Sequence, residues 1–517
     1  MMRSLFSGVA GLKTHQTKMD VIGNNIANVN TVGFKSSTVT FSDILYQTTQ
    51  YASGPNPATK TAGVNAKQIG LGSKVNSITT VQSTGGTQTT DSALDCMING
   101  NAYYIVRSSG ENLFTKAGSF FVDAGGSLCT ASGAVVQGWQ VNETETDIQR
   151  DVVSDLVVMG PKFKTAVPEA TTKAYLTGNV DSSDPQLYDE GATSAVSFYD
   201  ALGNSYTLKL KYTAVPSSDS STEDGATPAY VPGQYSVSVA DCWDKEGNSI
   251  FYSVDDDGIK HVNSNVSITF NGITYAAKAG ESSTDGEGEV TIGPADSSSE
   301  TGTIITFSNI TGKYSTISRA GEDTSTDGAK YDSIVFQVHD TTRDGSTGGG
   351  NDTTTASPFG KVELDFSSLT QYAANGKCSI QGQRGDVDGS GEGAGRPVGQ
   401  MSGLSIDTSG KIYGSYDNGT TRLIGQIAVT TFANATGLEA VGNSYFRKTQ
   451  NSGEFDGIGK DITEVGGSLT TGALEMSNVD LSSEFTNMIT TQRGFQANSR
   501  IITTSDTLLE ELINLKR

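Results

Sequence analysis

The residues of this chain that could carry chemistry are few and scattered. Three histidines (His15, His261, His339) and four cysteines (Cys96, Cys129, Cys242, Cys378) stand far apart in the sequence. Zinc sites are built from closely spaced ligand pairs, and the sequence offers none. A disulfide framework belongs to short secreted chains, so the cysteines are expected to be free, buried or half-buried thiols. There is no GxSxG elbow, HExxH helix or Walker A loop. Gly8-Val-Ala-Gly-Leu-Lys-Thr14 has glycines ahead of a Lys-Thr pair, but it lacks the Gly-Lys step and lies inside a helical repeat. Asp386-Val-Asp-Gly-Ser-Gly-Glu392 begins as a calcium loop does, with Asp at positions one and three and Gly at six. Its twelfth position is Pro397, where such a loop places a bidentate Glu. That segment and Asp255-Asp-Asp-Gly258 read as solvated acidic turns. Arg384-Gly-Asp386, an adhesion-type tripeptide, reads as coincidence in a Gly- and Asp-rich loop. No catalytic residue, metal site or cofactor is assigned, and enzyme is the disfavoured class.

Composition points the same way. The 517 residues carry a formal charge of −22, which repels phosphate backbones and argues against nucleic-acid partners. Hydrophobic residues make up 35%, with 61 Gly and only 11 Pro, a mixture suited to short strands and turns in several small domains. No stretch approaches the roughly 20 apolar residues of a membrane span, so membrane insertion is not expected. The first residues are too polar for a signal peptide, which implies that any export uses no cleaved signal.

With so little chemistry to position, the information in this chain lies in its elements. Leu5, Leu12, Met19 and Ile26 recur every seven residues, one stripe of an amphipathic helix that should stop in Asn28–Phe34. The other end repeats the design with Leu481, Met488, Phe495, Ile502 and Leu509. The companion row is read as Phe485, Gln492, Ser499, Asp506 and Ile513, and Asn478 or Ser482 as the N-cap. An isolated amphipathic helix is marginal in water, so the two ends are expected to pair with each other or with a neighbouring molecule.

The fold class expected is mainly β: nested domains with a terminal α-helical, coiled-coil-like core domain, elongated, with the N- and C-termini together. In detail, 1–34 and 474–517 form the helical core domain and 35–84 an extended linker. An inner β domain takes 85–165 and 364–473, and a middle one 166–213 and 330–363. Residues 214–329 are left for an additional outer β domain.

The ends also carry long motifs. Ser4-Leu-Phe-Ser-Gly-Val-Ala-Gly-Leu12 and Asp20-Val-Ile-Gly-Asn-Asn-Ile-Ala-Asn-Val-Asn-Thr-Val-Gly-Phe-Lys35 resemble the N-terminal signature of flagellar axial proteins, the family of rod, hook and hook–filament junction subunits. Gly472-Ala-Leu-Glu-Met-Ser-Asn-Val-Asp-Leu481 and Gln492-Arg-Gly-Phe-Gln-Ala-Asn498 resemble the end of its hook branch. Phe114–Phe120, Gln137-Gly-Trp139, Leu364–Gln371 and Met401–Asp407 are similar to inner-domain segments of the same branch.

The resemblance implies a hook subunit that polymerises into a curved hollow tube, a universal joint carrying torque from rod to filament. It implies as partners further copies of the chain as a helical homopolymer, rod proteins, the hook cap protein, hook–filament junction proteins and the flagellar export apparatus. It places the protein in the flagellar basal body and hook, outside the cell after export. A distal rod or other axial subunit is the alternative, with an exported surface adhesin behind it. Leu5, Leu12, Met19, Ile26, Leu481, Phe485, Met488, Phe495, Ile502 and Leu509 are the expected assembly core. Asn24, Asn25, Asn28, Gly33 and Phe34 are expected to shape the turn after the first helix.

Overall fold

The computed structural model describes residues 2–515 except 56–59, 61, 143–146, 218–228, 256–258, 280–289, 296–302, 319–330 and 343–357. Among the described residues the protein is β-rich, with an α-helix at each end: α1, Met2–Ala27, and α2, Leu481–Asn514. The chain folds as two compact units. The first comprises Met1–Lys164, Met401–Tyr416 and Thr421–Arg517; the second comprises Thr165–Gln400 and Asp417–Thr420.

In the first unit, outgoing and returning halves of the chain interleave in one sheet. Val135–Gln140 pairs with Thr421–Ile427 on one side and with Tyr103–Ser108 on the other. Tyr103–Ser108 continues to Glu111–Thr115 and from there to Tyr445–Arg447. Alternate residues of Ala102-Tyr-Tyr-Ile-Val106 enter different cores, Tyr104 and Val106 one, Tyr103 and Ile105 the other. A strand buried on both faces must be apolar throughout, which explains this unbroken run. The region after α1 forms two antiparallel ladders, Ser37–Asp43 with Ser73–Thr80 and Tyr46–Gln50 with Lys67–Gly70. The first of these ladders lies against α1.

The second unit closes two sheets over one core. Ser205–Pro216 alternates strictly, burying Tyr206, Leu208, Leu210, Tyr212 and Ala214, and pairs with Ala192–Tyr199 and Tyr230–Trp243. The other sheet runs through Val266–Phe270, Ser333–Asp340, Val362–Asp365 and Lys173–Asn179. Phe198 of the first sheet meets Phe336 of the second edge to face, ring centres 5.4 Å apart.

Two expected boundaries fall elsewhere. The 213/214 division between middle and outer domains lies inside Ser205–Pro216, and residues on both sides of it share one core. The returning half of the inner domain starts at Met401 rather than at 364, because Val362–Asp365 pairs with strands of the second unit. Alternation marks a strand but does not name its partner. The N-cap of α2 is likewise neither Asn478 nor Ser482. Asp480 caps the helix, accepting from Ser482 N at 2.9 Å and Ser483 Oγ at 2.9 Å.

Candidate assembly interface

α1 and α2 run antiparallel, so both chain ends lie at one end of the pair. Gly8 faces Asn498 and Ile502, Gly11 faces Asn498, His15 faces Gly494, and Asn25 faces Glu484. The approach is close because glycine stands at the crossings. A Cβ on Gly11 would lie 2.7 Å from the Asn498 side chain, and one on Gly494 would lie 2.8 Å from the His15 ring. On α2, Met488, Phe495, Ile502 and Leu509 are all half-buried.

The companion row differs from expectation. It is Thr491, Asn498 and Ser505, with Thr491 and Ser505 buried, rather than Phe485, Gln492, Ser499 and Asp506. Small residues pack where glycine notches bring the helices close, a criterion that apolar periodicity does not register. Leu481 and Phe485 therefore stand off the seam, 39% and 50% exposed. On α1, Leu5, Leu12, Met19 and Ile26 are half-buried. Ile513, toward the end of α2, is exposed.

His15 sits inside this seam. Its Nδ1 is buried and has no hydrogen-bond partner among the described residues, and its ring stands edge-on to Phe41 with centres 6.0 Å apart. Burial, aided by the nearby Lys18 charge, lowers its pKa below the ordinary 6.5.

At the exit from α1 the chain turns through a set of short polar contacts. Asn28 donates from N and Nδ2 to Asn24 O at 3.2 and 2.9 Å, and its Oδ1 accepts from Thr31 Oγ1 at 3.1 Å. Asn25 is buried and pairs with the backbone of Ser37, as a strand would: Nδ2 donates to Ser37 O and Oδ1 accepts from Ser37 N, both at 2.9 Å. The same Nδ2 donates to Glu484 Oε1 of α2 at 3.1 Å. Gly33 has φ +67°, its N donates to Glu475 O at 2.8 Å, and a Cβ there would lie 2.7 Å from Ala117 N. Half-buried Phe34 donates from N to Thr31 O at 3.2 Å.

Next to this turn is a polar knot that the sequence does not reveal. Lys35 Nζ meets Glu475 Oε1 at 2.6 Å, with both side chains essentially inaccessible to solvent, and also donates to Ser83 O at 2.8 Å. Gly85 N donates to the same carboxylate oxygen at 2.9 Å. Asn478 Oδ1 accepts from Ser36 N at 2.7 Å, while its Nδ2 donates to Val81 O at 2.8 Å. Lys116 is buried close by, its Nζ donating to Gly100 O at 2.8 Å, and desolvation with the neighbouring Lys35 charge lowers its pKa to about 8. A buried ion pair adds little net stability but is costly to break from one side, so it fixes which segments meet. The knot ties the segment leaving α1 to the segment entering α2 and to residues 81–85. A lysine and a glutamate 440 residues apart give no pairwise signal in a single sequence.

Elsewhere, Asp386 pairs with Lys173 at 2.7 Å and the Arg384 guanidinium lies 4.4 Å from the Tyr199 ring centre, so both ends of the Arg-Gly-Asp tripeptide are engaged within the fold. All four cysteines are free thiols, Cys96, Cys129 and Cys242 buried and Cys378 partly so. Of the acidic run at 255–258, all but Asp255 lies outside the described residues.

The segments that build this interface match known family patterns. Residues 5–35 match the flagella basal body rod protein family. Residues 470–515 match the flagellar basal body rod FlgEFG protein C-terminal family, and residues 97–173 match the flagellar hook protein FlgE/F/G D1 domain. Two terminal helices joined through an interleaved sheet, carrying these patterns, define a structural protein of the flagellar rod and hook class.

Relatives decide within that class. The chain is 32% identical to flagellar hook protein FlgE of Treponema pallidum and 34% identical to that of Borreliella burgdorferi, each across the whole of both chains. Flagellar basal-body rod protein FlgG of Bacillus subtilis is 50% identical, but over 26% of this chain and 50% of its own. The chain belongs to the flagellar hook protein family. It is a structural subunit of the hook, where it polymerises with further copies of itself. Among the described residues no helix is long and apolar enough to cross a membrane.

Proposed function

We propose that the chain forms a curved hollow tube that acts as a universal joint, passing torque from rod to filament, and that it is not an enzyme. The supporting observation is the apolar surface left open on the terminal elements. Phe6 and Val9 on α1, Leu481, Phe485, Ile489, Leu508 and Leu512 on α2, and Ile44, Leu45 and Tyr51 beside the ladders that follow α1 are all exposed in the single chain. Such a concentration marks a surface that other protein covers.

In this reading the α1–α2 seam is the tube's inner core. Leu5, Leu12, Met19, Ile26, Met488, Phe495, Ile502 and Leu509 hold the helix pair, and Leu481 and Phe485 are covered by neighbouring copies. Rod proteins bind one end of the polymer, cap and then junction proteins the other. The chain reaches its place through the flagellar export apparatus without losing a signal peptide. Electron microscopy of the purified, polymerised chain is expected to show short curved tubes. The variant Phe495→Glu/Ile502→Glu should form none while its β units stay folded. A purified chain that stays monomeric and binds a surface glycan would overturn the reading in favour of an adhesin.

A further inference from the structure

We infer that α2 carries two separate docking stripes for neighbouring copies of the chain, one on each flank of the seam, which meet head to tail between parallel, axially staggered subunits. This rests on the proposed polymer and specifies its contacts. At 3.6 residues per turn, the seam row of Met488, Thr491, Phe495, Asn498, Ile502, Ser505 and Leu509 defines the side of α2 that faces α1. Leu481, Phe485 and Ile489 then fall on one flank, in the N-terminal half of the helix, with Ile489 58% exposed. Leu508, Leu512 and Leu515 fall on the opposite flank, at the C-terminal end, with Leu508 52% and Leu512 49% exposed. Between the stripes, on the side away from α1, lie Ser482, Thr486, Arg493, Arg500, Thr504 and Glu511, a polar face that needs no cover.

Two apolar stripes on different flanks and at different heights cannot both be satisfied by a two-fold dimer, in which one patch meets its own copy. They suit a heterologous contact, which propagates into an open helical polymer. At 1.5 Å rise per residue the stripe centres are about 40 Å apart along the helix, which sets the axial offset between touching parallel copies.

The test is a complementation experiment on the full chain. Phe485→Glu/Ile489→Glu disables the first stripe and Leu508→Glu/Leu512→Glu the second. Both pairs lie off the α1–α2 seam, and circular dichroism on each variant, with serine versions alongside, checks that the helices remain. Neither variant alone should polymerise or dimerise in sedimentation under conditions where the unaltered chain forms tubes. Mixed in equal amounts they should form a dimer, through the one intact stripe on each, and nothing longer. Three results would each overturn the inference: either variant polymerising alone, either forming dimers by itself, or a mixture that stays monomeric. Failure of the unaltered chain to polymerise would instead sink the tube itself.

Discussion

At the scale of residues, the buried polar groups of the helix seam and the adjoining knot hold segments in register. His15 makes the point with a titratable group. It lies in the helix seam with an Nδ1 that has no partner among the described residues and a pKa held below 6.5. Lys18 is the charged neighbour that acts on it, while Gly494 of α2 and Phe41 of the adjoining strand offer no charge. Because the folded state resists protonation here, the unfolded chain binds more protons below pH 6.5, and the seam loses stability as pH falls through that value. Asp181 is the opposite case. It accepts from Ser183 Oγ, Ser183 N, Ala374 N and Gly376 N, and these bonds hold its pKa well below the ordinary carboxylate value of 3.8. Its contribution is complete above that value and lost on further acidification. On acid titration, helical circular dichroism is expected to decline as the pH falls below 6.5, before the near-ultraviolet signal of the second unit changes. His15→Gln should remove the early phase. An unchanged early phase in that variant would assign it to another group.

At the scale of elements, glycine decides how the helices meet. Gly494 lies against the His15 ring, whereas a Cβ at Gly23 of α1 would find nothing within 4 Å. Gly494→Val should force the helices apart and destabilise the pair by about 1–3 kcal/mol, the usual range for overpacking. Gly23→Ala, in open space within α1, should stabilise it by about 0.5–1 kcal/mol. Thermal melts followed at 222 nm compare the two. Equal effects would mean that helix propensity, and not close approach, governs these positions. The heptad rows of both helices were legible because amphipathic periodicity is local. The companion row was not, since Phe485 and Thr491 satisfy the spacing equally well from α2 alone. Only the glycine notches across the seam favour the smaller residue.

At the scale of the whole molecule, the two units have separate cores. The second unit's core draws on residues from Ala174 to Ile380, and the first unit's two cores on residues outside that span. Independent cores of this size usually melt independently. Calorimetry of the monomeric chain should therefore resolve two transitions, and a fragment of residues 165–400 should keep one of them. A single cooperative transition, or an unfolded fragment, would show that the units depend on each other.

The sequence by itself determined the helical ends, the β-rich interior, the turn at Asn24–Phe34 and, through long motifs, the family. All of these rest on local periodicity, turn chemistry or contiguous pattern. The tertiary structure decided what depends on distant partners. Pairing register placed 362–365 in the second unit and not in the returning inner sheet. Burial joined Lys35 to Glu475, and antiparallel crossing set Gly11 against Asn498. It also showed that the apolar stripe containing Leu481 and Phe485 is not used within one chain, because the helix turns that flank away from α1. Contacts across hundreds of residues leave no periodic trace in one sequence, so only the folded chain can reveal them.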